Sequence, residues 1–262
     1  MAETIILYMV TLIPLVVYLA VALFGQKSKH LKTFRESMLK NYRPALIISL
    51  IFYLGPFIGT LNPQKLWNIP AAADIFCISS FGLAMAKSIA GCEPLPVTDS
   101  IIKREKVLKK VMLTVAFSLI IVLVSGIIGS FGFNLCLSVF HEPDKRAQAM
   151  QMLPYKNKWL SFFTLLAGAG IAEEATYRLF FLTLFWKLLK NPWFALVLSS
   201  LCFSLYHLTP LDTMYQVYWQ FPIAQVIGVF LSSLIFGFFY IKRGFETCVL
   251  GHTLLDWTSV IF

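Results

Sequence analysis

Apolar residues run in long blocks separated by short, mostly basic stretches. A helix crosses the hydrocarbon core with about 20 apolar residues. Eight blocks approach that length: Ile5–Phe24, Ala45–Thr60, Pro70–Ala90, Val111–Phe131, Trp159–Phe185, Trp193–Leu208, Phe221–Ile241 and Phe245–Phe262. The second, sixth and eighth are short, so their ends are the least defined. The first is too long, and lacks the cleavage context, for a removed signal peptide. No fixed-period repeat, low-complexity tract or soluble insert interrupts the series. The pattern predicts an all-α polytopic membrane protein with about eight transmembrane helices. Residues 1–262 form a single membrane domain, with N-terminal spans and basic loops in 1–158 and the remaining spans in 159–262.

Composition agrees. Of the 262 residues, 58% are hydrophobic and 13% charged, about half the charged share of a soluble domain. That excludes a soluble globule and a disordered chain. The net charge of +9 acquires meaning from where it lies. Lys27, Lys29, Lys32, Arg35, Lys40, Arg43, Lys103, Arg104, Lys106, Lys109, Lys110, Lys187, Lys190, Lys242 and Arg243 follow odd-numbered spans. The other side carries only Lys65, Lys145, Arg146, Lys156 and Lys158. The positive-inside rule places the first set in the cytoplasm and both termini on the non-cytoplasmic side. The charge therefore reads as topology and contact with anionic membrane lipids, not as a nucleic-acid surface. Gln26–Arg43 reads equally as a basic helix on the inner leaflet or a solvated loop. The five cysteines form no CxxC pair and read as small apolar residues.

Most acidic residues, Asp212 and Glu246 among them, fall in loops or at span ends. Glu173, Glu174 and Asp256 do not, nor do Arg178, His207 and His252. A charge at the bilayer centre costs at least about 2.5–3.5 kcal/mol on insertion scales. Six such groups in three spans point to a functional site, the alternative being a polar knot that pins the helices. Asp74 and Lys87 lie nearer the ends of their span and read as structural. In helical geometry Glu174 and Arg178 are i,i+4 and can pair. Glu173 is turned about 100° away and stays available, with Tyr177 one turn on. Phe203 shares a face with His207, and His252 with Asp256. Gly168 and Gly170 permit close approach by another helix or a substrate backbone.

A carboxylate and two histidines in a partly dry cavity suit three chemistries. Glu173 can act as general base on water, with a histidine returning the proton to the leaving amine and other groups stabilising the oxyanion. His207, His252 and a carboxylate can hold zinc, although no HExxH helix occurs. A Glu/His relay can carry protons in a transporter, but the symmetric broken helices of many transporters are missing. A serine or cysteine nucleophile is less well supported. Ser204 points partly away from His207, no GxSxG occurs, and Cys202 and Cys248 have no evident activating partner.

Taken in order, Glu173-Glu174-x-x-x-Arg178, Phe203-x-x-x-His207 and His252-x-x-x-Asp256 resemble the three motifs of the CAAX protease and bacteriocin-processing (Abi) family, the intramembrane glutamate proteases. The likeness covers about 159–262. It implies an eight-helix endopeptidase cutting inside or beside the membrane. The best-known members, type II CAAX prenyl endopeptidases, remove three residues after a prenylated cysteine. The resemblance assigns water activation to Glu173 and His207, oxyanion stabilisation to His252 with Asp256, and support to Glu174 and Arg178. It implies a peptide or prenylated protein C-terminus as partner, a cavity open to the cytoplasm, and no cofactor, with zinc as the alternative. One position departs, since Asp256 stands where prenyl endopeptidases typically have Asn. An ionised Asp repels an oxyanion, so Asp256 either carries a proton or orients His252. A non-catalytic transporter or bacteriocin immunity factor is the rival from another class.

Overall fold

The computed structural model describes residues 2–152 and 157–262, so Lys156 lies outside the described residues. Among these, every regular element is a helix. All eight apolar blocks are helical, as Ala2–Phe24, Tyr42–Thr60, Ile69–Ala86, Val107–Phe140, a continuous run over 161–189, Pro192–Tyr206, Pro222–Arg243 and Phe245–Ile261. Four are long and apolar enough to cross a membrane: Tyr42–Thr60, Ile69–Ala86, Val107–Phe140 and Pro222–Arg243. Leu12–Lys27 and Pro192–Tyr206 are shorter apolar helices. The protein is an integral membrane protein.

Helix Val107–Phe140 shows how the apolar pattern packs. It is apolar all round, so periodicity in hydrophobicity cannot pick its inner face. Size and polarity do. Ser118, Ile121, Ser125, Gly129, Gly132 and Cys136 are buried, at helical spacing on one stripe. Leu119, Leu123, Ile127 and Phe131 are exposed on the other. Small residues inward and bulky aliphatics outward is how helices pack in lipid, where tight backbone approach replaces hydrophobic burial. Gly129 faces Ser232 and the backbone of Gly228, and Gly228 in turn faces Phe133.

Two acids, Glu142 in a connection and Glu246 in the first turn of Phe245–Ile261, fasten neighbouring helix ends. Glu142 accepts from the backbone amides of Ile223 (2.9 Å) and Ala224 (2.8 Å) at the start of Pro222–Arg243. Glu246 accepts from the amides of Val97 (2.6 Å) and Thr98 (2.8 Å) at the start of Pro96–Lys103. Each satisfies amides that a helix leaves unbonded at its N-terminus. Gly244 joins the last two helices with φ of +81°, a conformation that disfavours any side chain.

The basic segment after the first block is helical over Lys29–Lys40 and docked, not a free loop. Met38 is fully buried, and Phe34 stacks on Phe81 at 6.0 Å. Arg35 Nε donates to the carbonyl of Ala22 at 2.6 Å. Its apolar face at 34 and 38 covers the end of Ile69–Ala86, leaving the lysines outside.

Candidate active site

The run over 161–189 carries both glutamates. It is α-helical at its ends but has π-type i→i+5 bonding over Leu166–Glu173 and Ala175–Leu182. Such widened turns occur mostly as single insertions, often at functional sites. The backbone of Glu174, at the junction of the two stretches, remains in the right-handed helical region.

Glu174 is completely buried. Its Oε1 meets His252 Nδ1 at 2.8 Å, and its Oε2 lies 3.3 Å from Arg178 Nε. Arg178 is buried too. It donates from Nη2 to Ser233 Oγ at 3.0 Å, and its guanidinium lies over Phe203 (4.5 Å) and Phe236 (5.4 Å). Desolvated cation–π contacts of this kind are worth about 2 kcal/mol. Glu174, Arg178, His252 and Ser233 thus form one buried unit linking three helices.

Glu173 points the other way, into a cavity of about 610 Å³, within the usual range for ligand sites. His207, His252 and Asp256 line the same cavity. With Nδ1 held by Glu174, His252 turns Nε2 towards Glu173 Oε2 (3.8 Å) and Asp256 Oδ2 (4.0 Å). Glu174 thus occupies Nδ1 of His252, and Asp256 faces Nε2.

His207 is likewise held. Asp212 Oδ2 lies 2.5 Å from its Nδ1, while Asp212 Oδ1 accepts from the Met214 amide at 2.7 Å. Phe203, Tyr206 and Tyr218 surround the imidazole at ring distances of 5.0, 5.3 and 5.6 Å. Both histidines thus commit Nδ1 to a buried carboxylate. Among the described residues, neither Nε2 has a hydrogen-bond partner. His207 also lies just past a helix end, not inside a span. Pro192–Tyr206 stops one residue before it, because Thr209 precedes Pro210 and the residue before a proline disfavours helix. That turn brings Asp212 back onto the imidazole. Read from sequence, Asp212 was an ordinary loop acid; the available signal was its position five residues after His207 across a proline turn.

Tyr177 does not line the cavity. Its buried ring packs on Phe203 at 4.9 Å and Tyr206 at 5.6 Å, behind His207. Its carbonyl accepts a hydrogen bond from Ser199. The two glycines divide the roles expected of them. A methyl at Gly170 would overlap Thr253 Oγ1, whereas one at Gly168 would meet open space in the cavity wall. Ser125 Oγ and Thr164 Oγ1, on residues of the same wall, have no hydrogen-bond partner among the described residues. No group of three or more His, Cys, Asp or Glu among the described residues is disposed to hold a metal ion.

The cavity also fixes a relation between two sequence expectations. Its wall includes Ser259 and Val260, at the end of the last helix. Mouth and C-terminus therefore share one end of the bundle.

Residues 155–258 match the family model described as Type II CAAX prenyl endopeptidase Rce1-like. The match covers this stretch alone, and here the chain resembles that family. It takes in Glu173, Glu174, Arg178, His207, Asp212, His252 and Asp256, and it is consistent with the CAAX protease family. The description of that family names an endopeptidase. No curated protein and no solved structure matches the chain.

Proposed function

We propose that the chain is an intramembrane glutamate endopeptidase that hydrolyses a peptide bond beside the membrane without a metal, and that all eight apolar helices cross the bilayer. The observation that carries this reading is the convergence of Glu173, His207, His252 and Asp256 on one cavity, with each imidazole fixed through Nδ1.

In the proposed reaction Glu173 takes a proton from a water as its oxygen attacks the peptide carbonyl. His252 donates from Nε2 to the oxyanion, the kind of preorganised donor that is worth most in a dry site. Asp256 faces the same nitrogen, 4.0 Å away. The proton gained at Glu173 passes to the departing amine with His207 Nε2 as the relay, and the peptide bond breaks. Asp212 and Glu174 hold each ring in one orientation, as outer carboxylates do for functional histidines. Arg178 neutralises Glu174, so the buried site holds one free base rather than two. The apolar wall is available to a lipid chain, worth about 0.8 kcal/mol per buried CH₂.

The family match favours CAAX-type removal of residues beyond a prenylated cysteine. Purified protein is incubated with one CAAX peptide, prenylated and bare, and products are read by mass. Cleavage of the prenylated form alone supports the full reading. Equal cleavage of both retains the endopeptidase and removes the prenyl requirement. Loss of activity on chelation, restored by stoichiometric zinc, overturns the metal-free mechanism.

A further inference from the structure

We infer that substrate enters the Glu173 site from the face opposite the basic loops, so that in a positive-inside bilayer the cleaved peptide is presented on the non-cytoplasmic side. This deepens the endopeptidase reading and rests on it for the word substrate. The position of the cavity stands independently.

The walls come from one end of the bundle. His207 is at the end of Pro192–Tyr206, and Asp256 and Ser259 are in the last turns of Phe245–Ile261. Leu211 and Thr213 belong to the connection beyond His207, and Met150 to the connection after Val107–Phe140. Hydrogen bonds knit this end together. Trp257 Nε1 donates to the Lys158 carbonyl at 3.0 Å, and Glu142 caps the first turn of Pro222–Arg243.

The basic residues gather at the other end. Lys110 pairs with Glu93 at 3.1 Å, Lys187 donates to Ser88 at 3.1 Å, and Arg243 lies over Phe117 at 4.0 Å. One helix measures the separation. Gln225 lines the cavity and Lys242 ends the same helix. At 1.5 Å per residue they are about 26 Å apart, most of the roughly 30 Å hydrocarbon core.

Lys and Arg bias in short connections sets orientation. Among the described residues, fifteen cations lie at the basic end and four at the mouth end. The asymmetry turns the basic end to the cytoplasm and the mouth away from it. The substrate class that fits is an extended peptide segment anchored, by a lipid or an apolar helix, in the non-cytoplasmic leaflet. A prenylated C-terminus confined to the cytoplasm would not reach the mouth.

The test is labelling of intact cells by a membrane-impermeant maleimide, compared with the parent protein carrying its own cysteines. Leu211→Cys reports the mouth and Ile102→Cys the basic end. Both are exposed. Thr213→Cys and Glu105→Cys form a second pair should either of the first fail to accumulate. The expected result is that the mouth variants label fully before permeabilisation and the basic-end variants only after it. The reverse pattern, or equal labelling of both ends, overturns the proposal. Cleavage is then assayed with a water-soluble CAAX peptide outside right-side-out vesicles, with and without detergent. Full activity without detergent supports entry from this face, and activity released only by detergent overturns it. If no peptide is cut in either condition, the endopeptidase reading fails while the labelling still decides the orientation.

Discussion

Replacing Glu174 by Gln tests the buried unit behind the cavity. The substitution keeps shape and removes charge. In the native protein Glu174 faces His252 Nδ1 at 2.8 Å and Arg178 Nε at 3.3 Å, with all three side chains buried. Breaking a buried ion pair from one side costs about 3–5 kcal/mol, because the remaining charge is left uncompensated. Two features point to the lower half of that range. Glu174 Oε2 and Arg178 Nη1 have no directed hydrogen bond among the described residues, so the native pair is already imperfect. Arg178 also keeps Ser233 and the faces of Phe203 and Phe236 in the variant. A loss of about 3 kcal/mol corresponds to roughly 6–12 °C in Tm for a chain of this size. The assay is heating in detergent with a dye that fluoresces on reaching buried thiols. Cys77, Cys136 and Cys248 are buried reporters. Adding Arg178→Met to Glu174→Gln should recover part of the loss, because the stranded charge disappears. Strictly additive losses, or an unchanged Tm in the single variant, would refute the ion-pair account.

Other outcomes follow from the same geometry. Asp212→Asn removes a charge-assisted bond to His207 worth about 1.5–3 kcal/mol. Turnover should therefore fall roughly 10- to 100-fold with KM nearly unchanged; an equal rise in KM would mean Asp212 serves binding instead. Gly170→Ala overpacks against Thr253 and should lower stability by about 1–3 kcal/mol, whereas Gly168→Ala should leave Tm unchanged or raised. Hydrogen bonds from Arg146 hold the Asp144 carboxyl below its ordinary range. Its pairing thus contributes above the unfolded carboxylate range and is lost as pH falls through the depressed value. Both side chains are nearly half exposed, so Asp144→Asn should change stability at neutral pH by less than about 1 kcal/mol, an effect that high salt abolishes.

The helices were legible because a bilayer demands long uninterrupted apolar runs. The site residues were legible because a charge inside such a run is expensive: Glu173, Glu174, Arg178, His252 and Asp256 stand out on that ground alone. What hydropathy could not reach lies in loops or between helices. Asp212 is inexpensive in a connection, so nothing in its setting marks it as the partner of His207. The bond from Glu174 to His252 joins positions 78 residues apart, and helix periodicity pairs His252 only with Asp256. The i,i+4 rule found a neighbour, at 4.0 Å, but not the orienting group. The widened turns of 161–189 left no trace in residue order. The shared end of cavity and C-terminus emerged only once the helices were packed.

The role of Glu173 as the base on water is the central claim. Glu173→Gln should purify with the native Tm, since its side chain faces the cavity, and should produce no cleaved CAAX peptide by mass in a single-turnover assay. Cleavage by a folded Glu173→Gln protein at the native rate would contradict the account.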